Sequence, residues 1–385
     1  MKPLEGLRVL DMSRVLAGPF AGRMLSDLGA DVVKVEPPEG DVTRNWGKVR
    51  SGQAGYYVQQ NVGKRNICVD LGVEGGPDLI ERLVPEVDVL IENYRPGIMK
   101  RFGLDWESLQ AINPKLVMLS ISGFGQDGPD SQRAAYAPIL HAESGWMLRA
   151  SQASGNAPVD PYLSVADTNS SMHGLIGIFA ALRMRDVTGE GQHIDLAMLD
   201  AMLVTDDASN LALDGARYRP NGGIVWDGID GPVLTSGEIK WIWHQLHNQC
   251  GVQDPTPESA DLETKIACRT RAIQDHLLTF PTRDAMLDEL DRANLAWANV
   301  NSSPQAYASA TAQHRGSSVE IDARDGSTRR VPQSPYRFSN AESGLDEGSR
   351  ASHRGEHNVE VLAEWVGVSR AEVDTLSEAG VLLAE

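Results

Sequence analysis

Cysteine is scarce in this chain: its 385 residues include only three, and they stand far apart, at Cys68, Cys250 and Cys268. An odd and scattered set provides neither a disulfide framework nor a paired zinc site, and is typical of reduced cytoplasmic thiols. Long apolar runs are missing too, since no stretch reaches the roughly 18 residues that a membrane-spanning helix needs. The first residues also lack the apolar core and cleavage signal of a secretory leader. We therefore expect a cytoplasmic protein with no membrane partner.

Positive charge is in deficit. The chain has 35 Lys and Arg against 53 Asp and Glu, which gives a formal net charge of −18 at pH 7. Such a field repels polyanions, so we expect no nucleic-acid partner. A local group of arginines can still bind a phosphorylated small molecule, because salt screens the more distant charges.

Several common catalytic fingerprints are absent as well. No GxGxxG follows the first predicted strand and no GxxxxGK[ST] occurs anywhere, which removes the two commonest nucleotide-binding loops. The chain contains no HExxH and no GxSxG, so neither a zinc protease nor a serine hydrolase of those types is indicated. The histidines are dispersed, and we expect no metal site.

The chain does have a regular alternation of short apolar strands and helices. The predicted strands are residues 7–10, 32–35, 66–71, 87–91, 116–121 and 193–196. The segments between them are long enough for helical crossovers, which implies parallel pairing in a doubly wound α/β sheet. Ligands of such sheets bind beyond the carboxyl ends of the strands. The loops there are residues 12–18, 36–41, 92–97 and 122–128.

The pattern changes after about Arg217. Residues 221–223 and 227–231 are turn-rich and helical segments follow, so we predict a smaller second domain over residues 217–316, after a large domain over residues 1–216. A hairpin is predicted further on, around Asp325-Gly326.

The segment VADTNSSMHGLIGIFAALRMRDVTGEGQHIDLAMLDA, residues 165–201, predicts a long helix that ends at Thr188-Gly189. Its predicted buried face consists of apolar residues that recur with helical spacing: Met172, Leu175, Ile176, Phe179 and Leu182. Asp167 stands at the amino end, where the helix dipole favours an ionised carboxylate. Such a carboxylate can act as a nucleophile. The alternative is that Asp167 only caps the helix.

Five blocks of sequence carry a resemblance to a known family. They are LEGLRVLDMSRVLAGPFAGRMLSDLGADVVKVEPPEGD, GYYVQQNVGKRNICVDL, DVLIENYRPGIMKRFGLDWESL, NPKLVMLSISGFGQDGP and the Asp167 segment. In order and spacing they resemble the class III CoA-transferases, a family that includes formyl-CoA transferase, carnitine CoA-transferase and α-methylacyl-CoA racemase. The resemblance implies a Rossmann-like large domain, completed by residues 317–385, with a smaller α/β domain. It also implies an interlocked homodimer that moves CoA from an acyl-CoA to a small carboxylic acid.

The resemblance assigns roles to individual residues. Asp167 matches the aspartate that attacks the thioester and forms covalent intermediates. Residues that match the CoA site are Val15, Leu16, Ala17, Val69, Leu71, Gly72, Asn93, Tyr94, Arg95 and Arg101. Tyr56 and Tyr136 match positions that border the acyl group. The alternatives are solvated surface charges for the two arginines and packed core side chains for the two tyrosines. For Lys64 and Arg65, structural pairing competes with ligand contact.

Two positions depart from branches of that family. Ala135 stands where the racemase branch has the histidine that moves a proton, and His141 is out of register with that motif. We therefore favour transfer over racemisation, which remains the alternative, together with a non-catalytic protein that binds CoA thioesters. Leu16 stands where the formyl-CoA branch has glutamine, and predicts a larger or less polar acyl group.

Overall fold

A computed structural model describes residues 1–207, 209–216 and 222–385, without the side chain of Ala153. Contacts divide it into two compact units, a large one of residues 1–210 and 313–385 and a small one of residues 211–312. The predicted domain boundary at residue 217, and the predicted turn at Asn221, lie outside the described residues.

The strands are β1 (Arg8–Asp11), β2 (Asp31–Glu36), β3 (Val49–Arg50), β4 (Gln53–Ala54), β5 (Arg65–Cys68), β6 (Val89–Glu92), β7 (Val117–Ser122), β8 (Gln192–Ala197), β9 (Gly223–Trp226), β10 (Val233–Ser236), β11 (Trp297–Asn299), β12 (Ser318–Asp322) and β13 (Thr328–Pro332). The helices are α1 (Ala17–Asp27), α2 (Gly55–Asn61), α3 (Gly76–Leu83), α4 (Ile98–Arg101), α5 (Trp106–Ile112), α6 (Ala137–Glu143), α7 (Trp146–Ser154), α8 (Val165–Thr188), α9 (Met198–Thr205), α10 (Ser209–Leu213), α11 (Ile239–Cys250), α12 (Leu262–Leu277), α13 (Arg283–Arg292), α14 (Ser303–Ala308), α15 (Ala310–His314), α16 (Asn358–Val366) and α17 (Arg370–Glu378).

The large unit is built on a six-stranded parallel sheet with the order β5-β2-β1-β6-β7-β8. This is the strand order of dinucleotide-binding sheets, in which the direction of winding reverses between the first and fourth strands. Here the reversal falls between β1 and β6, where Leu10 lies beside both Val33 and Leu90. A crevice at the carboxyl ends of β1 and β6 follows from that topology.

Two apolar layers cover this sheet, because neighbouring strand residues point to opposite faces. Val9 belongs to the layer under α1 and α8, whereas Leu10 belongs to the layer under α3 and α16. The second layer includes Trp365, so the carboxyl-terminal residues complete the large unit. Val69 also bridges to Leu382 near the end of the chain.

The buried face of α8 agrees with the predicted one only in part. Leu175 is buried and Leu182 packs against the same core, as predicted. Met172, Ile176 and Phe179 are 41%, 62% and 38% exposed, respectively. The face against the sheet carries Leu175 and Ile178 together with small residues, and a Cβ at Gly174 would lie 2.8 Å from the side chain of Leu119. The helix is apolar on both sides, and close approach to the sheet selected the side with glycine and serine.

The small unit contains an antiparallel sheet of order β11-β10-β9 with α11, α12 and α13 packed into one core around Trp226. In the large unit, β12 and β13 form the antiparallel hairpin predicted around Asp325-Gly326. Within the described ranges, no helix is long and apolar enough to span a membrane. In the same ranges, no group of three or more His, Cys, Asp or Glu could hold a metal ion.

Candidate active site

A cleft of about 620 Å³ opens at the carboxyl ends of β1, β2 and β6, as the strand-end rule predicts. Most of the residues matched to the CoA site lie in it: Val15, Ala17, Val69, Leu71, Gly72, Asn93, Tyr94, Arg95 and Arg101. Asp167 and Tyr136 line it as well. Leu16 is not among the lining residues, and its side chain is buried.

The loop of residues 13–17, between β1 and α1, is fixed by side chains from neighbouring elements. Lys34 donates to the carbonyl oxygen of Ser13 at 2.8 Å. Asn93 accepts from the N–H of Arg14 at 2.7 Å and donates to its carbonyl oxygen at 2.8 Å. Asp41 accepts from the N–H of Val15 at 3.1 Å. These contacts leave the loop little freedom.

The same loop has a strained backbone. Val15 has φ of +69°, a left-handed conformation that is unfavourable for a β-branched residue. Gly18, directly after the loop, has no room for a side chain, since a Cβ there would lie 2.1 Å from that of Ser13. The surrounding hydrogen bonds hold this geometry, and strain of this kind concentrates at functional sites.

Asp167 lies in the first turn of α8, and Ser164 occupies the cap position. The nearby imidazole of His141, and hydrogen bonds from the backbone N–H groups of Ala17 and Asp167, lower the pKa of this carboxylate. Burial nevertheless dominates and raises the pKa of Asp167 to about 6. The helix start favours the ionised form, as expected, but desolvation of the charge outweighs it and leaves the pKa above its ordinary value. The carboxylate is still mostly ionised at neutral pH.

Tyr56 and Tyr136 occupy different environments. Tyr56 does not line the cleft, but packs edge-on against Trp46 with ring centroids 5.3 Å apart. Burial and the charge of Asp167 raise the pKa of the Tyr56 hydroxyl to about 12, which places this ring near the carboxylate. Tyr136 is 68% exposed at the start of α6, so it is not a packed core residue.

His141 is fully buried on α6 and contacts the amino end of α8. Its Nε2 lies 3.1 Å from the backbone nitrogen of Ala166, and its Nδ1 lies 2.7 Å from Oδ1 of Asp160. A backbone N–H can only donate, so Nε2 is the acceptor and the proton resides on Nδ1. Sequence reasoning noted this histidine but did not find these contacts.

Three arginines in the cleft have free guanidinium groups. Among the described residues, no carboxylate forms an ion pair with Arg14, Arg95 or Arg101. Arg14 lies over the ring of Tyr94, with 5.7 Å from Cζ to the ring centroid. Arg14 was not predicted from the sequence, although its position in the loop after the first strand, at the edge where ligands of such sheets bind, could have indicated it.

The two basic residues of the Gly63-Lys64-Arg65 turn are structural. Lys64 is buried and forms an ion pair with Asp11 at 2.8 Å, and burial lowers its pKa to about 8. Arg65 pairs with Asp31 at 2.5 Å. Neither side chain lines the cleft.

Glu36, at the end of β2, stands where dinucleotide-binding sheets carry the acid that binds a ribose. Here its carboxylate is already occupied, since it accepts hydrogen bonds from Arg44, Tyr57 and Asn66 at 2.8, 2.6 and 2.7 Å. A GxGxxG spacing does occur at residues 123–128, but it follows β7 and opens no helix before Ala137. The cleft therefore lacks the two features that select a dinucleotide.

Comparison with known proteins agrees with this geometry. The profile of CoA-transferase family III matches residues 4–358. A succinate–glutarate CoA-transferase from Agrobacterium fabrum is 35% identical over 96% of this chain and 97% of that protein. A formyl-CoA:oxalate CoA-transferase from Streptomyces avermitilis is 30% identical over 99% of this chain and 100% of that protein. The crystal structure of a CaiB/BaiF family protein from Brucella suis matches with a TM-score of 0.81 and 33% identity, over 94% and 99% of the two chains.

The family match spans nearly the whole fold, including the strands that form the cleft and the helix that carries Asp167. The alignment with the Agrobacterium protein covers almost all of both chains. The chain therefore belongs to CoA-transferase family III, whose reaction moves CoA between acyl-CoA thioesters and carboxylates.

Proposed function

We propose that Asp167 carries the transfer through covalent intermediates. An oxygen of its carboxylate attacks the thioester carbonyl, the C–S bond breaks, and CoA leaves as a thiolate. The thiolate then attacks the aspartyl carbonyl of the mixed anhydride, which releases the first acid and leaves an aspartyl-CoA thioester. An incoming carboxylate reverses both steps, and the new acyl-CoA leaves with Asp167 regenerated. Covalent catalysis thus divides one exchange into easier steps.

The observation that carries this proposal is the position of the Asp167 carboxylate, in the cleft and beside the N–H groups of Ala17 and Asp167. Negative charge develops on the acyl oxygen when Asp167 attacks the thioester, and on the aspartyl oxygen when the thiolate attacks the mixed anhydride. Fixed backbone donors stabilise such charge. Ala17 is the first residue of α1, so its N–H has no partner within that helix. A pKa of about 6 keeps Asp167 ionised at neutral pH and makes it a better nucleophile than an ordinary carboxylate.

The cleft also suits CoA itself. We assign Arg95 and Arg101 to its phosphates, because a guanidinium matches phosphate with paired hydrogen bonds. Arg14 supplies a further cation at the same edge of the sheet. Val15, Val69 and the residues after it form walls for the adenine and pantetheine parts.

For the acid we propose a small dicarboxylate of the succinate or glutarate class. The name of the Agrobacterium relative gives succinate and glutarate, and that protein aligns along the whole chain. The Streptomyces relative is named for formyl-CoA and oxalate, so these two compounds are the alternative to test. Leu16, which stands where the formyl-CoA branch has glutamine, still predicts a larger or less polar acyl group, although its side chain does not line the cleft.

Racemisation is not favoured by the site. At the position of the racemase histidine, Ala135 presents only a methyl group to the cleft. His141 cannot replace that base, because its Nε2 accepts from Ala166 and its Nδ1 donates to Asp160. Two-base proton transfer needs a side chain with a free acceptor near the α-carbon.

We propose that a second copy of the chain covers the exposed side of α8, as an interlocked homodimer would. Met172, Ile176 and Phe179 on α8, with Leu203 and Val204 on α9, form an exposed apolar surface, and surfaces of this kind mark protein interfaces. Ile176→Glu should then shift the mass measured by light scattering from dimer to monomer. A wild-type monomer would contradict this assignment.

The experiment that tests the transfer is intact-protein mass spectrometry. Wild type and Asp167→Ala are incubated with formyl-, acetyl-, propionyl-, succinyl- or glutaryl-CoA and quenched with hydroxylamine. We expect a mass shift on wild type with at least one donor, located at Asp167 and absent from the variant. No shift with any donor, together with exchange of the α-proton with solvent deuterium, would support the isomerase instead. No shift and no exchange would indicate a binding protein.

All three cysteines are free thiols, which supports a cytoplasmic setting for this reaction.

A further inference from the structure

We propose that His141 is a positioning residue for Asp167: it accepts the hydrogen bond of Ala166 and so fixes the first turn of α8 in the orientation that attack requires. This inference rests on the proposed function, because it concerns the nucleophilic role of Asp167. His141 does not face the cleft and touches no substrate.

The first turn of a helix has backbone N–H groups without partners in the helix. In α8, the N–H of Val165 donates to the carbonyl oxygen of Leu163 at 2.9 Å, and that of Thr168 donates to Ser164 at 3.1 Å. The side chain of Ser164 makes no capping hydrogen bond. The buried N–H of Ala166 therefore depends on His141, at 3.1 Å, for its acceptor.

The imidazole is itself held in one orientation. Asp160 accepts from Nδ1 at 2.7 Å, which leaves the lone pair on Nε2 for Ala166. The ring also packs edge-on against Trp146, with centroids 5.2 Å apart. A side chain held at three points can transmit its position to the backbone that it contacts.

Asp167 follows Ala166 directly, so a shift of Ala166 moves the carboxylate away from the N–H of Ala17. Ala17 cannot follow, because its loop is tied to β2 and to the residue after β6. None of the contacts of His141 reaches the residues assigned to CoA. Loss of the imidazole should therefore slow attack without weakening CoA binding.

The test compares His141→Leu with His141→Gln. The amide oxygen of glutamine can accept from Ala166 while its NH2 donates to Asp160, whereas leucine can do neither. The rate of Asp167 adduct formation is measured by quenched mass spectrometry with the acyl-CoA that labels wild type, and the Kd for CoA by calorimetry. We expect a loss of about 100-fold for leucine, recovery to within about tenfold of wild type for glutamine, and an unchanged Kd for both.

A matched control is Ser369→Ala, which removes a cap from α17, where Ser369 accepts from the N–H of Glu372 at 3.3 Å. It also weakens a helix start but should leave the adduct rate unchanged. A folded leucine variant with the wild-type rate would overturn the inference, as would a glutamine variant as slow as leucine. If the leucine variant does not fold, His141→Phe serves in its place, because its ring has nearly the shape of the imidazole and offers Ala166 no acceptor; a wild-type rate there would also overturn the inference. A wild type that forms no adduct overturns the proposed function first and this inference with it.

Discussion

Replacing Asp167 with asparagine should stabilise the folded protein at neutral pH while it abolishes transfer. Burial raises the pKa of Asp167 from its ordinary 3.8 to about 6. Because the folded-state pKa is the higher one, the stability linked to the protonated carboxyl is fully present below pH 3.8 and is lost as the pH rises through 6. At about 1.36 kcal/mol per pKa unit, the loss at pH 7.5 is about 3 kcal/mol.

Asparagine has nearly the same shape and no charge, and its amide oxygen can still accept from the N–H of Ala17. Its NH2 group needs a partner, which offsets part of the gain, so we expect about 1–3 kcal/mol at pH 7.5. At about 2 °C per kcal/mol for a fold of this size, the Tm should rise by about 2–6 °C. At pH 4.5 the gain should fall to about a third, because the folded wild type then binds the proton itself.

The assay is scanning calorimetry at both pH values, with the activity measured on the same samples. Asp288→Asn is the control, since it removes an exposed carboxylate from α13. A variant no more stable than wild type at pH 7.5 would refute the reasoning from burial. A gain of equal size at both pH values would show that it comes from packing and not from ionisation.

Three further predictions concern the same fold. In wild type, the rate of aspartyl adduct formation should fall about tenfold per pH unit below pH 6, because protonated Asp167 cannot attack. A rate that does not change between pH 5 and 7.5 in quenched reactions would contradict a pKa of about 6. Arg101→Ala should raise KM about tenfold for every acyl-CoA with kcat nearly unchanged, because we assign its guanidinium to phosphate and not to the reacting atoms. Arg82→Ala, outside the cleft, is the kinetic control, and equal KM values for the two variants would count against phosphate contact. Lys64→Met should cost about 3–5 kcal/mol in thermal unfolding because it removes the ion-pair partner of the buried Asp11, which then retains only the more distant Lys34. A cost under about 1 kcal/mol would contradict a stabilising role for this ion pair.

The position of the cleft was predictable from sequence because it depends on local patterns. Alternating strands and helices fix parallel pairing, and parallel pairing brings the loops after β1, β2 and β6 to one edge. Asp167 was found by resemblance, since its place near a helix start is also that of an ordinary capping residue. Its nucleophilic role stays a prediction until an adduct is measured.

The remaining features depend on what lies nearby in space. Helical periodicity identifies Met172 and Ile176 as apolar but does not say whether the sheet or a second chain covers them. The dipole at a helix start is visible in sequence, whereas the burial that raises the pKa of Asp167 is not. The contact of His141 with Ala166 joins α6 to α8, which are separated in the chain by α7 and a loop, so no local sequence pattern predicts it.

The hydrogen bonds of the loop of residues 13–17 should slow the hydrogen–deuterium exchange of its backbone amides. Its backbone is tied to the side chains of Lys34 on β2, of Asn93 after β6 and of Asp41. Opening the loop breaks these hydrogen bonds together, which costs more than opening a loop that has no such contacts. The amide proton of Ala17, although it faces a cleft, should therefore exchange with deuterium more slowly than those of ordinary exposed loops.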